Sequence, residues 1–308
     1  MKGPLFYAKI LLFGEYGIIK DSKGLAIPYN AYRGALKTSE SLLGKSLESN
    51  QNLDRFYKYL AALQTDLVTF NLVSFKEDVE NGMYFDSSIP QGYGVGSSGA
   101  LVASIYDKYA ANKTTVLENL TRDKLLNLKA IFALMESFFH GKSSGLDPLN
   151  SYLSLPILIN SKDHVEPAGI PSQKEGKGAV FLLDSEQVGE TEPMVNIFMN
   201  KMKNEGFRKM ISEEFSATTD ACIDDFLQGN VKSLFGNVKS LSKIVLTNFK
   251  PMIPDAFHKV WEKGISTNDY YLKLCGSGGG GYILGFTEDF SKAQKSLKDY
   301  KLELVYRF

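Results

Sequence analysis

The chain of 308 residues is 44% hydrophobic and 23% charged, which is ordinary for a globular enzyme with a sizeable core. Its 35 Lys and Arg residues balance its 35 Asp and Glu residues, so no net positive field is present to hold nucleic acid or an anionic membrane. A phosphate site in this chain must therefore be local, built from backbone amides and a few cations.

The number and spacing of the cysteines bear on the cellular compartment. Cys222 and Cys275 form no CxxC motif, so neither a disulfide framework nor a thiolate zinc site is expected. No uninterrupted apolar stretch approaches the roughly 20 residues that span a bilayer. We therefore expect a cytoplasmic protein. Its length suggests two domains, because about 150 residues are typical of one.

The first half of the sequence predicts short strands and amphipathic helices. Apolar runs closed by turn residues predict strands at 10–13, 25–28, 34–36, 68–73 and 83–87. The last two are predicted to form a hairpin around an acidic turn at 77–82. Apolar residues at helical spacing predict helices at 56–67, 100–111 and 125–139.

A segment at 163–178 holds two prolines and three glycines and predicts a domain boundary. We therefore expect an N-terminal domain of residues 1–165 and a C-terminal domain of residues 175–308. Strands are predicted at 152–159, 179–184, 270–274, 282–286 and 302–308, and helices at 195–246, 255–263 and 290–298. Strands that alternate with helices suit an α+β layer with helices on one face of a sheet.

A glycine- and serine-rich loop at 92–99 is the strongest single signal in the sequence. Glycines allow close approach to a polyphosphate and positive φ angles, which let successive N–H groups point inward. Ser97 and Ser98 stand where a helix begins, so free amides and the helix dipole favour an anion there. A hydroxyl at this place can also reach a metal. A turn capped by serine is the alternative interpretation.

The same loop matches the G-x-G-x-x-G pattern of dinucleotide-binding folds through Gly94, Gly96 and Gly99. That fold places the pattern in a leading βαβ unit, whereas this loop begins at Gly92. The Walker pattern G-x-x-x-x-G-K-S/T does not occur in the sequence. A dinucleotide-dependent oxidoreductase is therefore the weaker hypothesis, and it is separable by whether ATP or NAD raises the melting temperature.

Two carboxylates flank a second candidate segment. Glu136 lies near the end of the helix predicted at 125–139, and Asp147 follows a glycine-containing turn. Such a turn can bring the two side chains toward one site, where one carboxylate suits a divalent metal and the other a hydroxyl proton. Taken alone, each acidic residue fits a solvated surface position better.

A third segment, 273–281, ends in four consecutive glycines between two predicted strands. Such a run is costly in backbone entropy. Because strands flank it on both sides, close approach to a ligand or another loop explains it better than a flexible linker does. Cys275 within it is interpreted as a small packing residue.

Four segments together resemble the motifs of the GHMP kinases, in the same order. Residues 8–17 resemble the family's opening, in which a lysine precedes an apolar strand and Gly-Glu-His follows. Residues 90–100 resemble P-x-G-x-G-L-G-S-S-A-A, residues 140–147 resemble H-G-x-P-S-G-x-D, and residues 273–281 resemble K-L-T-G-A-G-G-G-G. The resemblance implies the two-domain α+β fold of the GHMP kinases, with the active site between the domains.

The resemblance also implies an activity, the ATP-dependent phosphorylation of a small alcohol. Ser98 and Glu136 would hold Mg²⁺. Asp147 would orient or deprotonate the acceptor hydroxyl, and Lys9 would stabilise the alkoxide and the charge on the moving phosphoryl group. The backbone of the loop would cradle ATP at Gly92, Gly94, Gly96, Ser97, Ser98 and Gly99. The acceptor would contact Glu15, Tyr16 and His140.

The sequence departs from the family's pattern around the acceptor. Tyr7-Ala8 stands where the family has Pro-Gly, Tyr16 where it has His, Ser143 where it has Pro, and Leu101 where mevalonate kinases often have Tyr. The nucleotide and catalytic positions are intact, so these departures bear on the acceptor more than on the chemistry.

Several acceptors and functions stay open. Within the family the opening is most like that of mevalonate kinases, so we expect mevalonate first, with phosphomevalonate or a sugar as the alternative. A catalytically inactive nucleotide-binding regulator is an alternative from another class, which the retained Lys9, Ser98, Glu136 and Asp147 disfavour. We expect no nucleic-acid or membrane partner, and a homodimer is left open.

Overall fold

The computed structural model describes residues 4–20, 22–115, 120–173 and 175–308. Within these residues the strands are β1 (Phe6–Phe13), β2 (Gly24–Thr38), β3 (Met83–Ser87), β4 (Ile157–Ser161), β5 (His164–Pro167), β6 (Ala179–Asp184), β7 (Tyr271–Leu274), β8 (Tyr282–Thr287) and β9 (Leu302–Arg307). The α-helices are α1 (Lys45–Ala62), α2 (Leu72–Glu80), α3 (Ser97–Tyr109), α4 (Arg122–His140), α5 (Leu146–Leu153), α6 (Thr191–Lys201), α7 (Glu205–Met210), α8 (Ser216–Gln228), α9 (Val231–Asn248), α10 (His258–Thr267) and α11 (Phe290–Ser296).

The chain forms two compact units that alternate along the sequence. The first unit consists of the described residues of Met1–Lys9, Pro28–Pro90 and Gly96–Leu155, and the second of those of Ile10–Ile27, Gln91–Val95 and Pro156–Phe308. The neighbouring strands β1 and β2 each have residues in both units. The glycine-rich loop also changes unit, between Val95 and Gly96. The expected division into 1–165 and 175–308 stays a prediction.

In the first unit, β2 and β3 form an antiparallel pair, from Gly34 opposite Ser87 to Thr38 opposite Met83. Helix α5 packs against both α3 and α4, and α1 packs against α2 and β3. The core of this unit is rich in fully buried rings, among them Phe56, Phe75, Tyr106 and Phe132.

In the second unit, β6 to β9 form an antiparallel sheet in the order β7–β8–β6–β9. Helices α9 and α10 pack against β7. Trp261 of α10 is fully buried, and its Nε1 donates a hydrogen bond to Ser242 Oγ of α9 at 2.8 Å. The start of β2 pairs with β4, which pairs with β5. Helices packed on an antiparallel sheet are the expected α+β arrangement.

Most predicted elements are confirmed, with bounds shifted by a few residues. Each of the predicted strands at 10–13, 179–184, 270–274, 282–286 and 302–308 overlaps an observed strand, and the predicted helices at 56–67, 100–111, 125–139, 255–263 and 290–298 overlap observed helices. Four helices, α6 to α9, occupy most of the predicted helical region 195–246. Among the described residues, no helix combines the length and the apolar character needed to cross a membrane.

The predicted hairpin of 68–73 and 83–87 is wrong. Residues Leu72–Glu80 form helix α2, because Asn71 Oδ1 caps it by accepting from the Ser74 amide at 3.1 Å. Phe75 and Val79, four residues apart, are the buried side chains of this helix. Strand β3 pairs with β2 instead.

Two further boundaries differ from the prediction. The strands predicted at 25–28 and 34–36 are parts of one continuous strand, β2. The strand predicted at 152–159 begins later, at Ile157, because Tyr152 belongs to the last turn of α5. Helix α5 ends where Ser154 adopts a left-handed conformation with φ of 52°.

Candidate functional site

An ion pair between Lys9 and Asp147 lies at the centre of the candidate site in the first unit. Lys9 belongs to β1 and is 4% exposed. Its Nζ lies 2.9 Å from Oδ1 of Asp147, which is in the first turn of α5. The carboxylate keeps 37% of its side-chain surface exposed, so a buried ammonium is paired with an acid that a ligand can reach.

Two glycines place Asp147 by letting α5 approach its neighbours closely. Gly145, just before α5, has φ of 72°, and a Cβ on it would lie 2.1 Å from the Lys129 carbonyl oxygen of α4. A Cβ on Gly99 of α3 would lie 2.7 Å from the carbonyl carbon of Asp147. Contacts below 3.0 Å force something to move, so a larger residue at either position displaces α5.

A hydroxyl ties α5 to the strand that carries Lys9. Ser151 of α5 donates from Oγ to the Tyr7 carbonyl oxygen at 2.6 Å. Tyr7 precedes Lys9 by two residues on β1, so its carbonyl anchors the segment of strand from which the lysine projects. The hydrogen bond ties α5 to the strand of Lys9, and the two glycine contacts fix α5 against α3 and α4. Together they fix Asp147 relative to Lys9.

The start of α3 lies against the same ion pair. Gly96 precedes α3 with φ of 79°, a conformation that favours glycine. A Cβ there would lie 3.0 Å from Lys9 Cγ and 3.7 Å from Asp147 Oδ2. The free amides of a helix N-terminus, together with its dipole, form an anion site. Ser97 and Ser98 are the first residues of α3, so an anion bound to their amides would lie near Lys9.

A second acidic group, Glu136, adjoins this helix start. Ser98 Oγ donates to Glu136 Oε1 at 3.0 Å and lies 3.0 Å from His140 Nε2. Because the hydroxyl has one proton, the imidazole must donate to Ser98 when Ser98 donates to Glu136. Ser143 Oγ donates to the other carboxylate oxygen of Glu136. The carboxylate is thus held on both oxygens.

Burial and like charge destabilise the ionised form of Glu136. The residue is 4% exposed. Burial, and then the negative charge of Asp147, raise the pKa of Glu136 to about 7, against the lowering effect of the two serine hydroxyls and Lys9. At neutral pH this acid is therefore partly protonated, and a cation beside it would favour ionisation.

That arrangement fits a divalent cation. Mg²⁺ prefers oxygen ligands, usually one or two carboxylates together with phosphate oxygens and water. Ser98 Oγ and the Glu136 carboxylate present such oxygens side by side, next to a helix start suited to phosphate. A carboxylate with a raised pKa beside a second carboxylate is also the electrostatic situation that a bound cation relieves. The donor set and the charge both suit magnesium.

The first half of the glycine-rich loop 92–99 belongs to the second unit, where it packs against the glycine-rich segment 273–281. Gly92 and Gly94 have φ of 74° and 76°. A Cβ on Gly94 would lie 2.5 Å from the Cys275 carbonyl oxygen, and one on Gly281 would lie 2.5 Å from Tyr93 Cα. The glycine run thus allows close backbone packing between two loops, which is one of the two explanations that the sequence left open.

Glu15 and Tyr16 also lie in the second unit, where both have protein partners. Lys273 donates from Nζ to Glu15 Oε1 at 2.5 Å, and the Tyr16 hydroxyl donates to the Ser277 carbonyl oxygen at 2.6 Å. Both residues are buried. Lys273 and Ser143 have no role predicted from the sequence, although a serine at 143, where the family has proline, signals that its surroundings differ.

The structure therefore brings some of the predicted site residues together in the first unit, while others belong to the second unit. Lys9, Ser98, Glu136, His140 and Asp147 form one network within the first unit. Gly96, Ser97 and Gly99 are at or near the start of α3 in the same unit. Gly92, Gly94, Glu15 and Tyr16 belong to the second unit. The roles assigned to all these residues stay predictions.

Comparison with known proteins gives a family match and many similar structures. Residues 56–154 match the family described as GHMP kinases N terminal domain. This range includes the start of α3 together with Glu136, His140 and Asp147. No curated protein matches the chain.

Solved structures of three GHMP-type enzymes align with nearly the whole chain. L. major mevalonate kinase in complex with R-mevalonate has a TM-score of 0.63 at 14% identity, covering 97% of this chain and 94% of that one. Streptococcus pneumoniae phosphomevalonate kinase in complex with phosphomevalonate and AMPPNP has a TM-score of 0.63 at 14% identity, covering 98% of each chain. Lactococcus lactis galactokinase complexed with galactose has a TM-score of 0.60 at 12% identity, covering 98% of this chain and 92% of that one.

Identities this low establish the fold and leave the acceptor open, since the three enzymes have different acceptors. The expected two-domain α+β architecture is confirmed by the coverage of both chains. Residues 56–154 thus belong to the GHMP kinase N-terminal domain family, and the chain as a whole has the GHMP kinase fold.

Proposed function

We propose that this protein transfers the terminal phosphate of ATP to the hydroxyl of a small alcohol, with mevalonate as the acceptor. The observation that carries the proposal is the Lys9–Asp147 ion pair, 2.9 Å long, against the Gly96 backbone at the start of α3. It combines a reachable carboxylate, an ammonium and a helix start suited to phosphate in one unit.

The transfer step follows from these groups. The acceptor oxygen forms a bond to the terminal phosphorus while the bond from that phosphorus to the bridging oxygen breaks, and ADP leaves. The proton of the hydroxyl passes to Asp147, whose Oδ1 lies 2.9 Å from Lys9 Nζ. The ammonium offsets negative charge on the acceptor oxygen and on the phosphoryl group in transit. Positioning and electrostatics thus supply most of the catalysis.

Ser98 and Glu136 would hold Mg²⁺ in this scheme. When bound with ATP, the ion neutralises phosphate charge. The chain's own contribution is to hold the Glu136 carboxylate through two serine hydroxyls and to keep it beside the helix start. Partial protonation of Glu136 makes the occupancy of this site sensitive to pH.

Mevalonate is proposed as the acceptor because the opening segment is most like that of mevalonate kinases and the fold matches one solved with R-mevalonate. Phosphomevalonate and galactose are bound in two of the other matching structures, so both belong in the test. An inactive nucleotide-binding protein would retain ATP binding and show no turnover.

A coupled assay of ADP release, run with mevalonate, phosphomevalonate, galactose and other hexoses, tests the proposal. We expect the highest kcat/KM with mevalonate. If another acceptor is turned over at least about tenfold better, a difference of roughly 1.4 kcal/mol in transition-state binding, the mevalonate assignment is wrong and the kinase assignment stands. ATP binding without turnover of any acceptor would contradict the kinase assignment.

A further inference from the structure

Two consecutive residues of the opening segment 8–17 hold the glycine-rich segment 273–281 at two points. Glu15 binds Lys273, the residue with which that segment begins, and Tyr16 binds Ser277 in its middle. All four residues belong to the second unit. More than 250 residues separate the partners in sequence, so neither contact is a local turn.

The Glu15–Lys273 contact is a buried ion pair. Glu15 is 6% exposed and Lys273 is 3% exposed. Besides the 2.5 Å contact with Glu15, the ammonium donates to the Leu274 carbonyl oxygen at 2.8 Å. A buried pair gains little net stability over apolar side chains, because both charges lose their hydration. Its geometric effect is to fix the end of β7 where the glycine segment begins.

Tyr16 is held in an uncommon backbone conformation by the same packing. Its φ is 62°, which costs free energy for a residue with a Cβ and persists only where surrounding contacts impose it. Its ring is 5% exposed and lies 4.7 Å from the ring of Phe198 and 5.8 Å from that of Phe249, between centroids. The hydroxyl donates to Ser277 at 2.6 Å.

The Tyr16 hydroxyl stays protonated and so remains a hydrogen-bond donor. Burial, and then the Glu15 carboxylate, raise the pKa of Tyr16 well above its usual value. The hydroxyl therefore stays protonated at every pH at which the protein is handled. Its single proton is engaged by the Ser277 carbonyl oxygen, so it has no proton left to donate to an acceptor molecule.

The glycine segment in turn supports the first half of the phosphate loop. A Cβ on Gly276 would lie 3.0 Å from Gly94 Cα, and one on Gly281 would lie 2.7 Å from the Gly92 carbonyl oxygen. The Tyr282 amide also donates to the Tyr93 carbonyl oxygen at 3.3 Å. Displacement of the segment is thus felt directly by residues 92–94.

We propose that Glu15 and Tyr16 are positioning residues for nucleotide binding and do not bind the acceptor. They clamp the segment 273–281, and this segment holds the backbone of residues 92–94 in the conformation that receives ATP phosphates. The effect on ATP rests on the proposed function; the effect on the two loops does not. Tyr16 thereby supports the binding of ATP and makes no contact with the acceptor.

The clamp is tested first without any ligand, by amide hydrogen exchange of the Tyr16→Phe variant. The matched control is Tyr306→Phe, since Tyr306 is equally buried in the second unit, donates to the Pro171 carbonyl oxygen at 2.5 Å and lies on the opposite edge strand of the sheet, β9. Loss of one hydrogen bond should speed exchange in 276–281 and 92–94 by about three- to tenfold in Tyr16→Phe. Tyr306→Phe should leave these amides unchanged. Equal exchange in both variants overturns the clamp.

The second measurement is ATP binding by calorimetry, together with the KM of the acceptor. We expect the ATP dissociation constant to rise about three- to tenfold in Tyr16→Phe and to stay unchanged in Tyr306→Phe, with the acceptor KM equal in the two variants. A raised acceptor KM with unchanged ATP affinity would overturn the assignment of Tyr16. If the unmodified protein binds no ATP, the proposed function fails, and the exchange experiment alone decides whether the clamp exists.

Discussion

Gly99 of α3 and Asp147 of α5 approach so closely that a Cβ on Gly99 would lie 2.7 Å from the Asp147 carbonyl carbon and 3.0 Å from its Cβ. Gly99, which stands where the family's loop motif has alanine, thus has a packing function beside any contact with phosphate. It sets the distance between the helix that would bind ATP and the carboxylate that would receive the acceptor proton.

Gly99→Ala should therefore lower kcat by about tenfold or more, because a displacement near 1 Å at a reacting group costs that much or more. It should also destabilise the fold by roughly 1–3 kcal/mol through overpacking. Steady-state kinetics and chemical denaturation measure the two effects. The control is Gly236→Ala, since Gly236 lies within α9 and a Cβ on it would meet no atom within 4 Å beyond its own stretch of helix. In that variant the free energy of unfolding should rise by up to about 1 kcal/mol, and kcat should stay unchanged. An unchanged kcat in Gly99→Ala would contradict the packing function.

A shared magnesium ion predicts coupled effects at Ser98 and Glu136. Ser98→Ala and Glu136→Gln should each raise the Mg²⁺ concentration that gives half the maximal rate, because each removes an oxygen donor from one ion. In the double variant the free-energy cost in Mg²⁺ binding should be smaller than the sum of the two single costs, since the second change acts on a site already weakened. Strictly additive losses with an unchanged Mg²⁺ requirement would contradict a shared ion.

The raised pKa of Glu136 predicts a dependence of stability on pH. Below the ordinary pKa of 4.5 the acid is protonated in both the folded and the unfolded chain and has no effect. Between 4.5 and about 7 the folded chain keeps a proton that the unfolded chain releases, so the free energy of unfolding falls as pH rises. The loss reaches up to about 3 kcal/mol by pH 8.

Urea denaturation at pH 5 and pH 8, in the presence of a chelator, measures this loss. Glu136→Gln cannot ionise, so its stability should change with pH by about 3 kcal/mol less than that of the unmodified protein. Ser143→Ala removes a hydroxyl that stabilises the carboxylate, so its loss of stability should extend to higher pH. Parallel pH profiles for all three proteins would contradict a raised pKa at Glu136.

The order of strands and helices was largely predictable because it depends on local apolar spacing. Residues 179–184 and 282–286 read as strands and are strands. The predicted hairpin is the exception. Residues 68–73 and 83–87 have strand-like composition, yet β3 pairs with β2, at least 45 residues away in sequence. Pairing partners at that distance are set by tertiary packing, which local patterns do not encode.

The resemblance to the GHMP kinases implied that Lys9, Ser98, Glu136 and Asp147 share one site, and these residues do lie together, while their roles stay predictions. Partners whose chemistry is generic were not predictable. A lysine at position 273 or a serine at position 143 has many roles in proteins, and only the fold shows that they bind Glu15 and Glu136. Tyr16 was likewise predicted to contact the acceptor from its position in a motif, whereas its hydroxyl donates to the Ser277 carbonyl oxygen.

The buried pair of Glu15 and Lys273 predicts an asymmetry between single and double substitution. Glu15→Gln leaves a buried ammonium without its carboxylate, which should cost about 3–5 kcal/mol. Glu15→Gln combined with Lys273→Met removes both charges and should recover most of that loss. Asp224→Asn is the control, because the Lys23–Asp224 pair is 2.8 Å long but exposed and should contribute less than about 1 kcal/mol. Denaturation midpoints give the comparison, and a double variant no more stable than Glu15→Gln would contradict it.

The last prediction concerns Asp147 and Lys9 as a catalytic pair. An alcohol is a poor nucleophile, and its proton must leave as the phosphoryl group arrives. A carboxylate within hydrogen-bond reach typically speeds such a step by about 10²–10⁴-fold. Asp147→Asn keeps the shape and removes the base, so kcat should fall at least about a hundredfold while ATP affinity changes little.

Lys9→Met should also lower kcat, and the double variant should cost little more than Asp147→Asn alone, because the two residues act on one proton and one phosphoryl group. Asp86→Asn is the matched control, since it breaks another Lys–Asp pair of the first unit, an exposed one with Lys37, and should leave kcat unchanged. If Asp147 were only the first-turn residue of α5, its loss would lower the melting temperature and spare turnover. Rapid-quench measurement of the transfer step separates the two, because a normal rate in folded Asp147→Asn protein is incompatible with a role as base.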